Sequence, residues 1–371
     1  MFGSFPRVLT ILPPKECYDA GAAGSIALLV SRLAAKGDCI LGRKIDGEPL
    51  PGGTFISVPE LFLPFMPRWR YLLGCVRAVR TVQPDVVEVH NRPGLARILA
   101  RFVPVRLILH NDPQTMRGLT SVKLRERTVQ AMQVCGVSEW VARRYSEGLA
   151  AGIGAVEVQH NVIDAATLPA EVSKRPLVVF AGRVVADKGV DAFVRAWQAV
   201  RFSFPEWGAV IVGADRFGSN TPETPFLAAL RPQAAAAQVS MLGYKPHAEV
   251  MALMAEASIV VVPSRWAEPF GMTALEAMAC GCTVIASRNG ALPDVVGDTG
   301  LYADPDADGM FEDVLTAALQ DAALRAGLGR AAKARAVSCF GLEGARKERD
   351  ALRHAAHHNA PYQAVWSAQK R

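Results

Sequence analysis

The chain has 371 residues, half of them hydrophobic and a fifth charged, with 31 Gly and 24 Pro spread along it; the length suits two domains of roughly 150–200 residues, and the composition excludes an intrinsically disordered chain. The net charge of +6 is compatible with phosphorylated ligands, an anionic membrane surface or nucleic acid, but no zinc-finger, Arg-rich or aromatic-plus-basic RNA-binding pattern accompanies it, which argues against nucleic acid. Seven scattered cysteines, at 17, 39, 75, 135, 280, 282 and 339, form neither a disulfide framework nor a C-x-x-C motif, so a reducing, cytoplasmic setting is expected.

In chain order, an apolar run at 8–12 reads as a first strand rather than a signal peptide, and no apolar run reaches the ~18 residues of a membrane span. A helix is expected over 23–36, strands at 86–89 and 106–109, a helix over 123–132 and a strand at 134–137. This alternation is that of βαβ units on a parallel sheet. Asn161, Asp164, Pro169 and Pro176 punctuate a candidate linker over 158–177. The alternation then restarts, with strands at 177–181, 208–212, 239–242, 259–262 and 283–286 and helices over 189–200, 226–237, 247–255 and 273–279. Beyond Asp308 the pattern is helical to the end. The expected domains are therefore 1–168 and 169–345, with a C-terminal helix or tail over 346–371 that packs back on the first domain.

Two stretches of the second half could carry chemistry. In Val262-Pro263-Ser264-Arg265-Trp266-Ala267-Glu268-Pro269-Phe270-Gly271-Met272-Thr273 a strand ends, a Pro/Gly loop turns and a helix opens, an arrangement that presents free backbone N–H groups to phosphate. Glu276 lies one turn into that helix, so it and Glu268 could face one ligand; the alternative is that Glu268 caps the helix and Glu276 is merely solvated. In Val178-Val179-Phe180-Ala181-Gly182-Arg183, continuing to Asp187-Lys188-Gly189, Arg183 follows a strand end and Lys188 enters a helix. Both cations could meet a diphosphate at the carboxyl edge of the sheet.

Together these stretches resemble the donor-binding domain of glycosyltransferase family 4, retaining enzymes of GT-B architecture. The resemblance rests on Gly182-Arg183 with Lys188-Gly189, on the E-x7-E pattern of Glu268 and Glu276 with Ala277-Met278-Ala279-Cys280-Gly281, and on Asn289-Gly290-Ala291-Leu292-Pro293-Asp294. It covers residues 7–335. The implied fold is α/β, two Rossmann-like domains facing a central cleft. The implied donor is a nucleotide sugar, UDP- or GDP-linked, with its diphosphate on Arg183 and Lys188, its ribose on Glu276 and its sugar hydroxyls on Glu268. Phe270, Gly271, Met272 and Thr273 would line the phosphates and Gly182 the strand end, while Gly243 and Tyr244 would belong to the base-contacting loop. No metal or cofactor is implied.

In the first half the family's glycine loop falls at Asp19-Ala20-Gly21-Ala22-Ala23-Gly24-Ser25. Ala20 departs from the pattern, so Gly21 approaches the donor phosphates or is a plain turn. Two further strands end in His90-Asn91-Arg92-Pro93 and His110-Asn111-Asp112-Pro113. His110 matches a sugar-contacting histidine of the family and is the expected transfer centre; His90, Asn91 and Arg92 are expected to bind the acceptor. Either histidine could instead be a satisfied structural residue. Glu88 to Pro93 also resembles members that build bacterial surface polysaccharide or lipopolysaccharide, which implies a glycan or lipid-linked acceptor.

Phe62, Phe65, Trp69 and Tyr71 mix with Arg68, Arg70, Arg77 and Arg80 over 55–80, a surface for peripheral contact with the inner membrane or an ordinary strand and helix with solvated arginines. His354, His357 and His358 lack a carboxylate or cysteine partner at ligand spacing and are read as a flexible tail. A GT-B epimerase and a non-catalytic sugar-nucleotide-binding protein of the same fold are the competing functions.

Overall fold

The computed structural model describes residues 6–20, 23–59, 67–215 and 223–358. The chain forms two compact units, Met1–Val162 with Leu342–Arg371, and Ile163–Gly341. In the first unit the elements are β1 (Val8–Ile11), α1 (Ser25–Leu33), β2 (Cys39–Gly42), β3 (Thr54–Ser57), α2 (Pro67–Val82), β4 (Val86–His90), α3 (Pro93–Leu99), β5 (Val105–Leu109), α4 (Val122–Ala131), β6 (Gln133–Gly136), α5 (Glu139–Ser146) and β7 (Val156–Val158). The sheet order is β3-β2-β1-β4-β5-β6-β7, and every pairing is parallel. Strands β1, β4 and β5 are buried along their whole length. A strand covered on both faces needs apolar side chains on both, which is why these segments read as continuous rather than alternating runs.

The second unit runs β8 (Arg175–Ala181), α6 (Val190–Val200), β9 (Gly208–Val212), α7 (Pro225–Ala236), β10 (Val239–Met241), α8 (His247–Glu256), β11 (Ala257–Val262), α9 (Met272–Ala279), β12 (Thr283–Ala286), α10 (Leu292–Val296), β13 (Leu301–Tyr302), α11 (Met310–Gln320) and α12 (Ala322–Phe340). Its sheet order is β10-β9-β8-β11-β12-β13, again all parallel. Helix α6 buries Val190, Phe193, Val194, Trp197 and Val200, the spacing of a single apolar helix face. That face joins Val178, Phe180 and Ile211 of the sheet and Phe311 and Leu315 of α11 in one core.

The last helix, α13 (Leu342–His358), returns to the first unit. Its Ala345 packs with Leu29 and Leu33 of α1, and two of its arginines, Arg349 and Arg353, are buried. Three polar side chains inside the sheet explain this. Thr10, Glu88 and Arg106 are buried and lie side by side across β1, β4 and β5. Arg106 pairs with Glu88 and donates to Gln133 and Gln159 at 2.7 Å each. Arg353 closes the other side of Glu88, with Nη2 2.6 Å from Oε2 and Nε 3.1 Å from Oε1, and reaches Asp38 at 2.8 Å through Nη1. Burial alone would push the Glu88 carboxyl up, but Arg353 and Arg106 outweigh it and hold it far below the usual carboxylate range. His354, His357 and His358, expected in a flexible tail, lie instead in the last turns of α13, whose buried arginines tie that helix to the sheet.

Candidate active site

In a doubly wound sheet the loops at the carboxyl ends diverge where strand order reverses, leaving a crevice. In the second unit that point lies between β8 and β11, and both motif stretches of this half follow those strands. Past β8 and Gly182, Arg183 is exposed and its guanidinium makes no hydrogen bond or ion pair among the described residues. Lys188 ends a short 3₁₀ turn, Ala186–Lys188, and its ammonium pairs with Glu268 Oε1, to which Ser264 Oγ also donates at 2.9 Å. Glu268 is only 8% exposed. Its position is fixed by backbone: Ala291 N donates to the Glu268 carbonyl at 2.7 Å, and Gly290, at φ +68°, lies so close that a Cβ there would stand 2.3 Å from both the Glu268 nitrogen and oxygen. Only glycine fits that contact. Glu268 Oε2 carries no hydrogen bond among the described residues, so one carboxylate oxygen remains for a ligand while the other is held by Lys188 and Ser264.

The same loop ends at Gly271, whose φ of +96° turns the chain into α9 with no side-chain cap. The Ala274 amide already bonds to the Gly271 carbonyl at 3.0 Å. The preceding amides of Met272 and Thr273 have no acceptor within the helix and lie at its positive end. Phe270 is buried and meets Phe340 edge-on at 5.6 Å between ring centres, so only its backbone is offered to a ligand. One turn into α9, Glu276 is 13% exposed at its side chain and accepts or shares a hydrogen bond with His247 Nε2 at 2.8 Å. His247 opens α8 just after the Gly243-Tyr244 loop, where Tyr244 is 70% exposed.

Arg265 braces this loop. It grips Asp191 through Nη1 and Nη2 at 2.7 and 3.0 Å and Asp306 through Nε at 2.7 Å. Its bonds to Asp191 above all raise the pKa of the guanidinium, and the Asp191 carboxyl, though burial opposes it, is lowered by Arg265 and Arg195. Neither His247 nor Arg265 was singled out from the sequence. His247 follows the Gly243-Tyr244 loop and Arg265 sits inside a motif stretch, but their partners are 29 and 74 residues away.

In the first unit, β4 and β5 bring His90 and His110 together: His90 Nδ1 and His110 Nε2 are 2.8 Å apart and the rings stack at 5.0 Å. Asn91 adopts φ +53°, a left-handed conformation Asn tolerates, and its Oδ1 accepts the His110 amide at 2.8 Å. Burial pushes the His90 pKa down to about 4, against the pull of Glu88. His110 is also driven well below its ordinary value, by burial first and by His90 second. The two rings are thus neutral at pH 7 and share one N–H. A cavity of about 1240 Å³ adjoins them, with Asn91, Arg92 and His110 in its wall. His90 is 3% exposed and is bonded to His110, the ring of the pair that lines the cavity. Gly21 lies outside the described residues.

Residues 168–335 match the family model described as glycosyl transferases group 1. Among curated relatives, the glycogen synthase of Mycobacterium tuberculosis is 28% identical over 289 residues, covering 70% of this chain and 66% of the relative. A D-inositol 3-phosphate glycosyltransferase of Corynebacterium aurimucosum is 34% identical over 160 residues, 42% of this chain and 38% of the relative. The O-antigen chain mannosyltransferase B of Escherichia coli is 45% identical over 84 residues, 22% of each. The matches thus span less than two thirds of these relatives. Among solved structures, Anabaena HepE in complex with UDP superimposes with a TM-score of 0.74 at 18% identity, covering 94% of this chain and all of that one. The fold is accordingly GT-B, two Rossmann-like α/β domains in one chain, and it is the second of them that the glycosyl transferases group 1 model matches.

Proposed function

We propose that this protein is a retaining, metal-independent glycosyltransferase that moves a sugar from a UDP- or GDP-linked donor, held by the second unit, to a glycan or lipid-linked acceptor held by the first. The observation that carries the reading is the convergence, at the carboxyl edge of one sheet, of the unpaired Arg183, the Lys188–Glu268 pair, the open end of α9 and Glu276. Arg183, Lys188 and the Met272 and Thr273 amides offset charge on the departing diphosphate, so fixed electrostatics supply most of the rate enhancement. The free oxygen of Glu268 takes a sugar hydroxyl, and Glu276, braced by His247, takes the ribose. The bond from the anomeric carbon to the diphosphate breaks, the acceptor oxygen bonds to that carbon on the same face, and the acceptor proton passes to the leaving phosphate oxygen.

The relative named for a UDP complex supports a nucleotide-linked donor, and the O-antigen mannosyltransferase supports the narrower role in surface-polysaccharide or lipopolysaccharide assembly. Work at the cytoplasmic membrane face fits α2, where Trp69, Leu73, Arg77 and Arg80 are exposed at the spacing of a single helix face; no helix among the described residues is long and apolar enough to cross a membrane.

The test is to supply UDP- and GDP-sugars and follow nucleotide release, with the anomeric configuration of the product read by NMR. One nucleotide class should be consumed with retention, and Lys188→Ala should lower kcat/KM by about 10²–10³. An inverted product, or equal turnover by Lys188→Ala, would contradict the assignment.

A further inference from the structure

We infer that the cavity of the first unit takes an acceptor that carries a phosphate group, and this rests on the transferase reading above. Three cations reach the cavity from the loops after three adjacent strands: Lys15 after β1, Arg92 after β4 and Arg117 after β5. All three are exposed, and none has a hydrogen bond or ion pair from its side chain among the described residues. A fourth cation, among the described residues of the wall, is different. Arg97 is committed to the protein, donating to the Gly118 carbonyl at 2.8 Å and to Thr128 Oγ1 at 3.3 Å.

Glu16 is the single carboxylate among the described lining residues, one against three cations. It turns to the Ala27 amide at the start of α1, 3.4 Å away, and burial favours its protonated form. Like charges gathered around one space in excess of their counter-charge repel one another, and the arrangement is relieved by an anion. Two of the three are arginines, whose planar forks suit phosphate oxygens. The cavity, about 1240 Å³, is far larger than a phosphate and leaves room for a glycan beside it. Trp69 and Tyr71 of α2 supply aromatic faces in the same wall. The chemistry is therefore that of a sugar phosphate or of a lipid-borne phosphate, and the two sources can be separated.

The experiment uses the full chain saturated with whichever of UDP or GDP it binds, so that the donor site is filled. Glucose and glucose 6-phosphate are titrated by calorimetry, and co-sedimentation is measured with phosphatidylcholine vesicles with and without phosphatidic acid. The expected result is at least tenfold tighter binding of glucose 6-phosphate than of glucose, weakening as salt rises, or sedimentation that depends on phosphatidic acid. The first outcome identifies a soluble source and the second a lipid source. In Arg92→Gln/Arg117→Gln the preference should fall at least tenfold while nucleotide affinity is unchanged. The inference is overturned if the nucleotide binds but neither phosphate probe is preferred over its neutral counterpart, or if the double variant keeps the preference. Failure of the nucleotide itself to bind would instead strike the transferase reading.

Discussion

Replacing Arg353 by methionine removes a cation that bridges two buried carboxylates, and the structure fixes how much this should cost. Three charge-assisted hydrogen bonds disappear, two to Glu88 and one to Asp38. Glu88 keeps Arg106 as a partner. Among the described residues Asp38 retains only the Ala35 amide at 2.9 Å and a distant Arg349 at 3.9 Å, so it is the group left stranded. Breaking a buried pair typically costs about 3–5 kcal/mol, and with Glu88 still neutralised the lower end, about 3 kcal/mol, is expected. For a unit of this size, that is a Tm drop of roughly 6–12 °C at about 2–4 °C per kcal/mol. A chain of two units need not unfold in one step, so the assay is amide hydrogen exchange read separately on β1 and β4 and on β8 and β11. Protection should fall in the first pair and stay in the second. Adding Asp38→Asn to Arg353→Met should restore part of the loss, because the stranded charge is gone. A change below about 1 kcal/mol, or equal loss of protection in both units, would refute the claim that this arginine fastens the last helix to the sheet.

Acid should weaken the first unit in two stages. His90 is a base whose folded pKa is depressed to about 4, so the unfolded chain binds the extra proton from about pH 6.5 downward and stability falls through that window, by about 3 kcal/mol for this ring alone. Glu88 is an acid with a depressed folded pKa, and its contribution is lost further down, as pH drops below about 4.5. Urea unfolding from pH 7 to 4 checks the first stage, which His90→Phe should flatten; an unchanged slope would contradict the assignment. In the second unit Gly290→Ala should destabilise by about 2 kcal/mol or more, since alanine at φ +68° is strained and its Cβ meets the Glu268 backbone. Nucleotide-sugar affinity should fall with it, and wild-type Tm and affinity in that variant would show that the contact does not position Glu268.

The strands of both sheets were legible because a doubly covered parallel strand must be apolar throughout, and Val86–His90 or Ile259 to Val262 have no other comfortable place. The motif loops were legible because glycine at Gly271 and Gly290 meets a backbone requirement that local sequence advertises. Short elements such as β7, with three half-buried residues, were not: a strand that ends a sheet carries little apolar signal. Nor were the partners of charged groups. Arg353 sits in a polar, Arg-rich helix that reads as solvated, and its partners Glu88 and Asp38 are 265 and 315 residues away. His90 illustrates the same limit within the site. Its position at a strand end was evident, but its pairing with His110 depends on the register between β4 and β5, which no local pattern specifies.

The most direct test of the donor site is thermal unfolding of wild type and Glu276→Ala against UDP-, GDP- and ADP-sugars, since a ligand bound only by the native state raises Tm by mass action. The account predicts that UDP- or GDP-sugars stabilise the wild type, by about 2.7 kcal/mol at a hundredfold excess over Kd, and that this stabilisation disappears in Glu276→Ala while the unliganded Tm is preserved. No shift with any nucleotide sugar, or an equal shift in the variant, would contradict it.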